Sequence, residues 1–368
     1  MPTERTLCID LRWIDSTGVG MYIQGILPGI VGKLEDISIV GLGDPSLRGR
    51  FAWAQAANVR LVDCPAGRYS MREQFELPRA IPPGTDLFFS PYYTIPLGFR
   101  GRLAVTVHDM SHLVLPEIVS NWKKRTYARL MYRAVRRRAS LIFTVSQFTQ
   151  SELLRLTRGP REDNIVATHL GIFPEWYNAR DRPPLRQTPY FVYVGNIKPY
   201  KNIGRLVEAF LRVAQHISHD LVIIGQSEGL ITGESPQFFD LVRTAGERIH
   251  LTGYVSHDEL LSLVGHASAL IMPSLYEGFG LPPLEAMAAR VPAVVARAGS
   301  LPEVCGDAAL YFDPTNVEEI ANCLVAIASD PALCNRLVEA GSRRSRLFTW
   351  ESCASRTAEN LRACLDMK

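Results

Sequence analysis

What most narrows the folds open to this chain is a recurring pair of signals: a short apolar run, then a longer segment with helical period. In the first half the runs are TLCIDL (6–11), ISIVGL (37–42), VRLVD (59–63), DLFFS (86–90), RLAVTVH (102–108) and SLIFTVS (140–146). In the second half they are YFVYVG (190–195), DLVIIG (220–225), RIHLTG (248–253), ASALIMP (267–273) and PAVVA (292–296). These runs are rich in Val, Ile and Phe and lack strict alternation, so both faces of each strand are predicted to be buried, as in a parallel sheet. Parallel strands need crossover helices, so the pattern predicts βαβ units and doubly wound sheets.

One stretch breaks the rhythm. PEWYNARDRPPLRQTP (174–189) is rich in proline and charge and has no period, which predicts a linker. The chain of 368 residues therefore divides into two α/β, Rossmann-like doubly wound domains, 1–175 and 188–345, followed by 346–368. In that last part TWESCASRTAENLRACLD (349–366) is a helix pattern that can pack on either domain. Two such domains are expected to face each other across a cleft lined by the C-terminal ends of both sheets, where ligands bind.

Composition excludes several classes. Apolar residues make up 47% and charged residues 21%, as in globular proteins. No apolar run reaches membrane-spanning length, and MPTERTLCIDL lacks the apolar core of a signal peptide. Seven scattered cysteines form no CxxC pair, which fits reduced thiols and a cytoplasmic location. A formal charge of +3 is too small to predict a nucleic-acid partner.

SLYEGFGLPPLEAMA (274–288) carries the sharpest local signal. It follows a strand, and Pro282 and Pro283 suit the first turn of a helix, where a missing N–H costs little. Glu285 is expected in that first turn and Glu277 in the loop before it. Gly278 and Gly280 allow close backbone approach, and the N–H groups of Gly280 and Leu281 can bind an anion. A carboxylate beside such an anion would bond neutral hydroxyls, as on a sugar or ribose. On physics alone a plainer alternative stays open: Glu285 complements the helix dipole and Glu277 is solvated.

This segment, with the preceding LTGYVSHDELLSLVGHASALIMPS (251–274), resembles the E-x7-E signature region of the retaining glycosyltransferases of family 4, of the GT-B fold. The similarity runs over about 190–315, with weaker echoes in the first half. It implies that Glu285 binds the ribose hydroxyls of a nucleotide and Glu277 the donor sugar. Gly278, Phe279, Gly280 and Leu281 would contact sugar and phosphate through their backbone. It implies no cofactor: a nucleotide-diphosphate sugar is the substrate.

Other segments then acquire roles. In VGNIKPYKN (194–202), Lys201 matches a family cation, and Lys198, by our inference, is a second one; Asn196 stands where the family often has arginine. Surface lysines capping a turn are the alternative. Gly18 and Gly20 in STGVGMY (16–22) resemble the family's first glycine-rich loop, and Tyr254 and Val255 its base-binding loop. In TVHDMSH (106–112), His108 matches a histidine that contacts the donor sugar, and adjacent Asp109 is a candidate for orienting or deprotonating the acceptor hydroxyl. The expected catalytic set is His108, Asp109, Lys201 and Glu277. His108 and His112 have H-x3-H spacing, but they leave a strand rather than sit on a helix, and no DxD triplet occurs, so no metal is expected.

VGNIKPYKN and YSMREQFELP (69–78) look most like bacterial mannosyltransferases of surface-polysaccharide assembly, implying GDP-mannose as donor and a glycan or lipid-linked acceptor of O-antigen, capsule or exopolysaccharide. Transfer of deoxyhexoses such as rhamnose or of a UDP-linked sugar, and a non-catalytic nucleotide-binding partner, are the alternatives. A nicotinamide oxidoreductase would need a G-x-G-x-x-G fingerprint, which is absent. NWKKRTYARLMYRAVRRR (121–138) has eight basic residues and no acid. Arg125, Arg129 and Arg133 are predicted on one face, and Trp122, Tyr127, Leu130, Met131 and Ala134 largely on another. The segment is either a solvated amphipathic helix or a contact with an anionic membrane surface, peripheral at the inner face of the cytoplasmic membrane.

Overall fold

The computed structural model describes residues 5–68, 72–115, 122–225, 242–243 and 246–367, without the side chains of 122–124. Positions 69–71 of YSMREQFELP and residue 121 of the basic segment lie outside that set. Each half of the chain builds one wholly parallel sheet. The first contains β1 (Thr6–Asp10), β2 (Ser38–Leu42), β3 (Val59–Val62), β4 (Leu87–Ser90), β5 (Arg102–Val107), β6 (Leu141–Thr144) and β7 (Ile165–Ala167), in spatial order β3-β2-β1-β4-β5-β6-β7. The second contains β8 (Tyr190–Val194), β9 (Asp220–Ile224), β10 (Ile249–Gly253), β11 (Ala269–Met272), β12 (Ala293–Ala296) and β13 (Ala309–Phe312), in order β10-β9-β8-β11-β12-β13. Helices carry most of the described crossovers, as the two-sided apolar runs require, while β4 passes to β5 through the non-helical stretch 91–101.

In both sheets the strand order reverses at one place. β1 pairs with β2 and, through Leu7↔Leu87, with β4. β8 pairs with β9 and, through Phe191↔Ala269 and Val192↔Leu270, with β11. At such a switch point the two following loops diverge and leave a crevice beyond the strand ends. The loops after β1, β4 and β5 and those after β8 and β11 are therefore the ones to inspect.

Two edge strands escape the sequence pattern. β7 has three residues, and β13 carries partly exposed Leu310 and Tyr311 between its buried ends. Edge strands bury less, so their apolar signal is weaker. The stretch read as a linker is a larger departure. Pro174–Asp181 is 3-10 helical, with Trp176 only 1% exposed. It packs on the helices His257–Gly265 and Leu281–Ala288. Ser262 Oγ donates to Pro183 O at 2.7 Å, and Arg180 Nε to Gly265 O at 2.9 Å. One tryptophan and a few carbonyls anchor this segment, and neither makes a period.

Among the described residues, two compact units are formed. One draws on Met1–Leu113, Asn121–Gly171 and Thr349–Lys368, the other on Ile172–Phe348. The final helix, Trp350–Asp366, lies along Gly18–Lys33. A Cβ on Gly25 would sit 2.2 Å from the Trp350 ring, and one on Gly29 would sit 2.6 Å from Ala354 Cβ. A seam of small residues thus sets how closely these helices approach. All seven cysteines are free. No helix among the described residues is long and apolar enough to cross a membrane.

Gly25 and Gly32 lie on the same helix and should respond oppositely to alanine. At Gly32 nothing lies within 4 Å of the added Cβ. Gly32→Ala should raise stability by up to about 1 kcal/mol through helix propensity. Gly25→Ala has the same propensity gain but collides with Trp350, and overpacking at about 1–3 kcal/mol wins. Urea unfolding midpoints check this; a stabilised Gly25→Ala would mean the seam is loose.

Candidate functional site

In the second unit the crevice beyond β8 and β11 holds an ion pair. After β8 the chain runs through Gly195–Lys198 into a 3-10 turn at Pro199–Lys201, and Asn202 takes a left-handed conformation at φ 61° before the helix Ile203–Val213. That turn aims Lys201 at the loop after β11, where its Nζ lies 2.7 Å from Glu277 Oε1. The two side chains are 16% and 12% exposed. Burial opposes the ammonium charge, but Glu277 chiefly, with Tyr200 and Tyr193, raises the lysine pKa above its ordinary value. Lys201 is therefore a fixed cation at any physiological pH.

Backbone bonds lock the two loops together. Leu275 N donates to Tyr200 O at 2.8 Å. Buried Asn202 donates through Nδ2 to Pro273 O at 3.0 Å and to Pro314 O at 2.7 Å. From the loop after β12, Ser300 Oγ reaches Glu277 O at 3.0 Å and Phe279 O at 2.7 Å. Gly299, at φ 59°, lets that loop lie so close that a Cβ would be 2.7 Å from the Glu277 backbone. Asn202 and Ser300 were missed by sequence reasoning. The only clue was an asparagine directly before a helix and a Gly-Ser pair after a strand.

The glycine corner ends in a helix. Gly280, at φ 102°, is the N-cap of Leu281–Ala288, and Phe279 is buried against Phe348 with ring centroids 5.9 Å apart. Pro282 and Pro283 have no N–H to offer. The N–H groups of Gly280 and Leu281 take no partner among the described residues, so they remain as donors for an anion. Gly278 is partly exposed beside Glu277.

Glu285 differs from expectation. The helix begins at Leu281, so Glu285 falls in its second turn, and no acid occupies the first. It is 8% exposed. Burial, reinforced by the charge of Glu175, pushes its carboxyl pKa up to about 8, while Trp176 acts in the opposite sense. The Trp176 indole N–H, however, closes no well-formed hydrogen bond. In the second turn of this helix Glu285 is thus held toward its neutral form. Glu285 therefore lies outside the first turn, where it would complement the helix dipole, and Glu277 is half-buried and paired with Lys201.

The remaining second-unit candidates are more peripheral. Lys198 and Lys201 place their ammonium groups 6.0 and 5.2 Å from the Tyr200 ring centre. Asn196 is exposed, and its carbonyl accepts from Tyr193 Oη at 3.2 Å. Tyr254, 84% exposed, and Val255 follow β10, two strands from β8. Beside them Ser256 and Glu259 form a capping box on His257–Gly265.

In the first unit His108 ends β5. Its Nε2 lies 2.9 Å from Pro91 O, after neighbouring β4, and Tyr22 meets it edge-on at 5.0 Å. Since a carbonyl only accepts, Nε2 carries the proton and Nδ1 is the accepting nitrogen. Burial lowers the histidine pKa against the opposing pulls of the Pro91 carbonyl and Asp109, so the ring is neutral at neutral pH. Asp109 has a structural use: its Oδ1 accepts from Ser111 N at 2.8 Å and Ser111 Oγ at 2.6 Å, capping the turn that follows. Gly18 is exposed with open space around it, whereas a Cβ on Gly20 would meet Ile14 O at 2.5 Å. Gly20 is thus required by the fold itself. Sequence reasoning also missed a buried triad at the end of β1: Arg12 Nη2 bonds Asp10 at 2.6 Å and Glu73 at 2.8 Å, and its Nη1 donates to Ala66 O.

Paired parallel sheets, each with its charged and glycine-bearing loops at the switch point, are the architecture of GT-B glycosyltransferases. Sucrose-phosphate synthase from Thermosynechococcus elongatus superposes on the chain with a TM-score of 0.77 at 20% identity, covering 98% of this chain and 99% of that one. Residues 178–344 match the glycosyl transferases group 1 family, and residues 17–171 match the glycosyl transferase 4-like domain. O-antigen chain mannosyltransferase B of Escherichia coli is 31% identical over 286 residues, 74% of this chain and 72% of that protein. The MMP alpha-(1->4)-mannosyltransferase of Mycolicibacterium hassiacum is 30% identical over 234 residues, 62% of this chain and 55% of that protein. The chain belongs to the group 1, family 4-like glycosyltransferases.

The raised pKa of Glu285 has a stability consequence. The folded chain holds this proton up to about pH 8, whereas an unfolded glutamate releases it near 4.5. Stability contributed by the neutral form is complete below about pH 4.5 and is lost as pH rises through 8, by a few kcal/mol at most. Glu285→Gln should therefore match the parent at pH 5 and exceed it in Tm at pH 9. A difference that does not change with pH would mean the carboxyl is not desolvated.

Proposed function

We propose that this glycosyltransferase is a retaining, metal-independent hexosyltransferase that moves mannose from GDP-mannose to a glycan or lipid-linked oligosaccharide in bacterial surface-polysaccharide synthesis. The observation that carries the donor reading is the half-buried Lys201–Glu277 pair beside the N–H groups of Gly280 and Leu281, which have no partner among the described residues. Departure of a nucleoside diphosphate concentrates negative charge on its distal phosphate. A fixed ammonium and helix N–H groups, already in place, stabilise that charge without reorganising. Lys198 adds a second cation from the same turn. Glu277 holds Lys201 in position and leaves its other oxygen for a donor-sugar hydroxyl. Glu285, once ionised, accepts from the ribose hydroxyls, and the loop of Tyr254 and Val255 borders the base.

On the acceptor side, neutral His108 offers Nδ1 to a sugar hydroxyl. The attacking hydroxyl approaches from the face of the leaving group, so configuration is kept and neither glutamate serves as a covalent nucleophile, unlike the facing carboxylates of retaining glycosidases. Mannose as the transferred sugar draws support from two relatives that are both named mannosyltransferases while their named products differ. The acceptor class draws support from the first of these, which is named an O-antigen chain mannosyltransferase.

Lys201→Ala and Glu277→Ala should each reduce transfer by about 10²–10³ while leaving the fold intact. Turnover near the parent level in both would remove the site assignment. A thermal-shift panel of GDP, UDP, dTDP and NAD tests the donor. A nucleotide present at about 100 times its Kd adds about 2.7 kcal/mol. Stabilisation by GDP and GDP-mannose alone is expected; a shift with UDP or dTDP instead would replace the donor, and one with NAD would overturn the reading.

A further inference from the structure

Trp176 is the only tryptophan between residues 172 and 348, and it is 1% exposed. It sits on the 3-10 segment Pro174–Asp181, which packs on both His257–Gly265 and Leu281–Ala288. The His257 ring meets the indole edge-on with centroids 6.4 Å apart, and His257 Nε2 lies 3.4 Å from Glu175 Oε1. The indole is thus held in place from two sides. Yet its Nε1–H has no hydrogen-bond partner among the described residues. Leaving a buried donor unpaired costs stability, so a fold that keeps one needs a reason.

The reason lies on the facing helix. Glu285 is 8% exposed, and the indole stands close enough to favour its ionised form. Burial and then the charge of Glu175 act in the opposite sense. Other charges around this helix are committed elsewhere. Lys201 is held by Glu277 at 2.7 Å, and Arg180 donates to Gly265 O. From Pro331–Ser345, the helix packed on Leu281–Ala288, Arg344 donates to the carbonyls of Glu303 and Val304. Two neighbouring side chains of one segment, Glu175 and Trp176, therefore push the Glu285 carboxyl in opposite directions.

We propose that Trp176 is a positioning residue for donor binding: its indole N–H receives the Glu285 carboxylate as soon as that group ionises and fixes the direction in which it meets the ribose hydroxyls, while Glu175 restrains the ionisation. This role rests on the ribose contact proposed above for Glu285 and adds what sets the charge of that group. An N–H bonds a carboxylate more strongly than a neutral acid, so a donor waiting in a buried site favours the ionised form. Ribose recognition then strengthens with rising pH, as the Glu285 proton passes to solvent. A tryptophan that only fills space would not distinguish the two charge states.

The test compares Kd for GDP and 2′,3′-dideoxy-GDP between about pH 6 and 9, or for the UDP pair should the nucleotide panel select uridine. The ratio of the two isolates the ribose hydroxyls and cancels titration of the phosphates. With a Glu285 pKa of about 8, about one-tenth is ionised at pH 7, so the parent ratio should rise about ten-fold between pH 7 and 9. Trp176→Phe keeps a ring and removes the N–H. Its profile should move upward by about one pH unit, lowering the ratio about ten-fold at pH 7 but only about two-fold at pH 9. If that variant does not fold, 3-benzothienylalanine at position 176, which keeps the indole shape and lacks the N–H, takes its place. Glu175→Gln, on a side chain 37% exposed, should move the profile the other way and raise the ratio several-fold at pH 7. Glu285→Gln should lower the ratio and abolish its pH dependence. Equal Kd for the two nucleotides at every pH, or a Glu285→Gln variant with the parent profile, would remove the ribose role itself. If Glu285→Gln behaves as expected, a profile that Glu175→Gln or the N–H-deleted variant leaves at the parent pH overturns the present inference and leaves the ribose role standing.

Discussion

A lysine ammonium removed from water needs a partner, and in this protein the partner comes from another loop. Lys201 follows β8 and Glu277 follows β11, more than seventy residues later in the chain, yet their side chains meet at 2.7 Å. They can meet because β8 and β11 are hydrogen-bonded neighbours at the reversal of strand order. The pair is half-buried, its side chains 16% and 12% exposed, so either partner can be removed without stranding a charge in a dry interior. The corner Gly278–Gly280, its Ser300 clasp and the Asn202 anchor all serve to keep the two loops in register.

The first unit solves a related problem with a different device. Two carboxylates, Asp10 and Glu73, share one buried guanidinium from Arg12. Arg12 also holds the Ala66 carbonyl, so the strand end of β1 is tied to segments more than fifty residues away. Beside it, Tyr22 and the Pro91 carbonyl fix the His108 ring and its tautomer. Such a histidine offers an acceptor of set direction rather than a titrating group.

Much of this was legible in the sequence because the central strands are buried on both faces, and that leaves an unmistakable composition. Their positions, the parallel sheets and the loops that follow β8 and β11 could all be read. β7 and β13 could not, since β7 is three residues long and Leu310 and Tyr311 of β13 are half-exposed, whereas the other two edge strands, β3 and β10, kept a readable apolar run. The segment 174–189 was misread because Trp176 and a few side chain-to-carbonyl bonds anchor it, and neither creates periodicity. For single residues the limits were sharper. Lys201 and Glu277 were visible as types in a pattern, but Asn202, Ser300 and Arg12 act through partners far along the chain. Asp109 looked reactive next to a histidine, while its actual neighbour in bonding is Ser111, two residues on. Helical spacing put Leu130 largely with the apolar face, but the burial of Met131 and Tyr132 turns that face away and leaves Leu130 54% exposed.

The unit that begins with β1 is not finished by the residues that follow it directly. Its helix Gly18–Lys33 is covered by Trp350–Asp366, while Ile172–Phe348 forms a unit of its own between them. During synthesis on the ribosome the later-made unit can close first, and the earlier-made one must wait with the Gly25–Gly29 seam uncovered until the Trp350 helix emerges. Assembly therefore runs against the order of translation. That delay exposes an apolar helix face to solvent and to chaperones, and it makes a truncation at the far end a lesion of the near one.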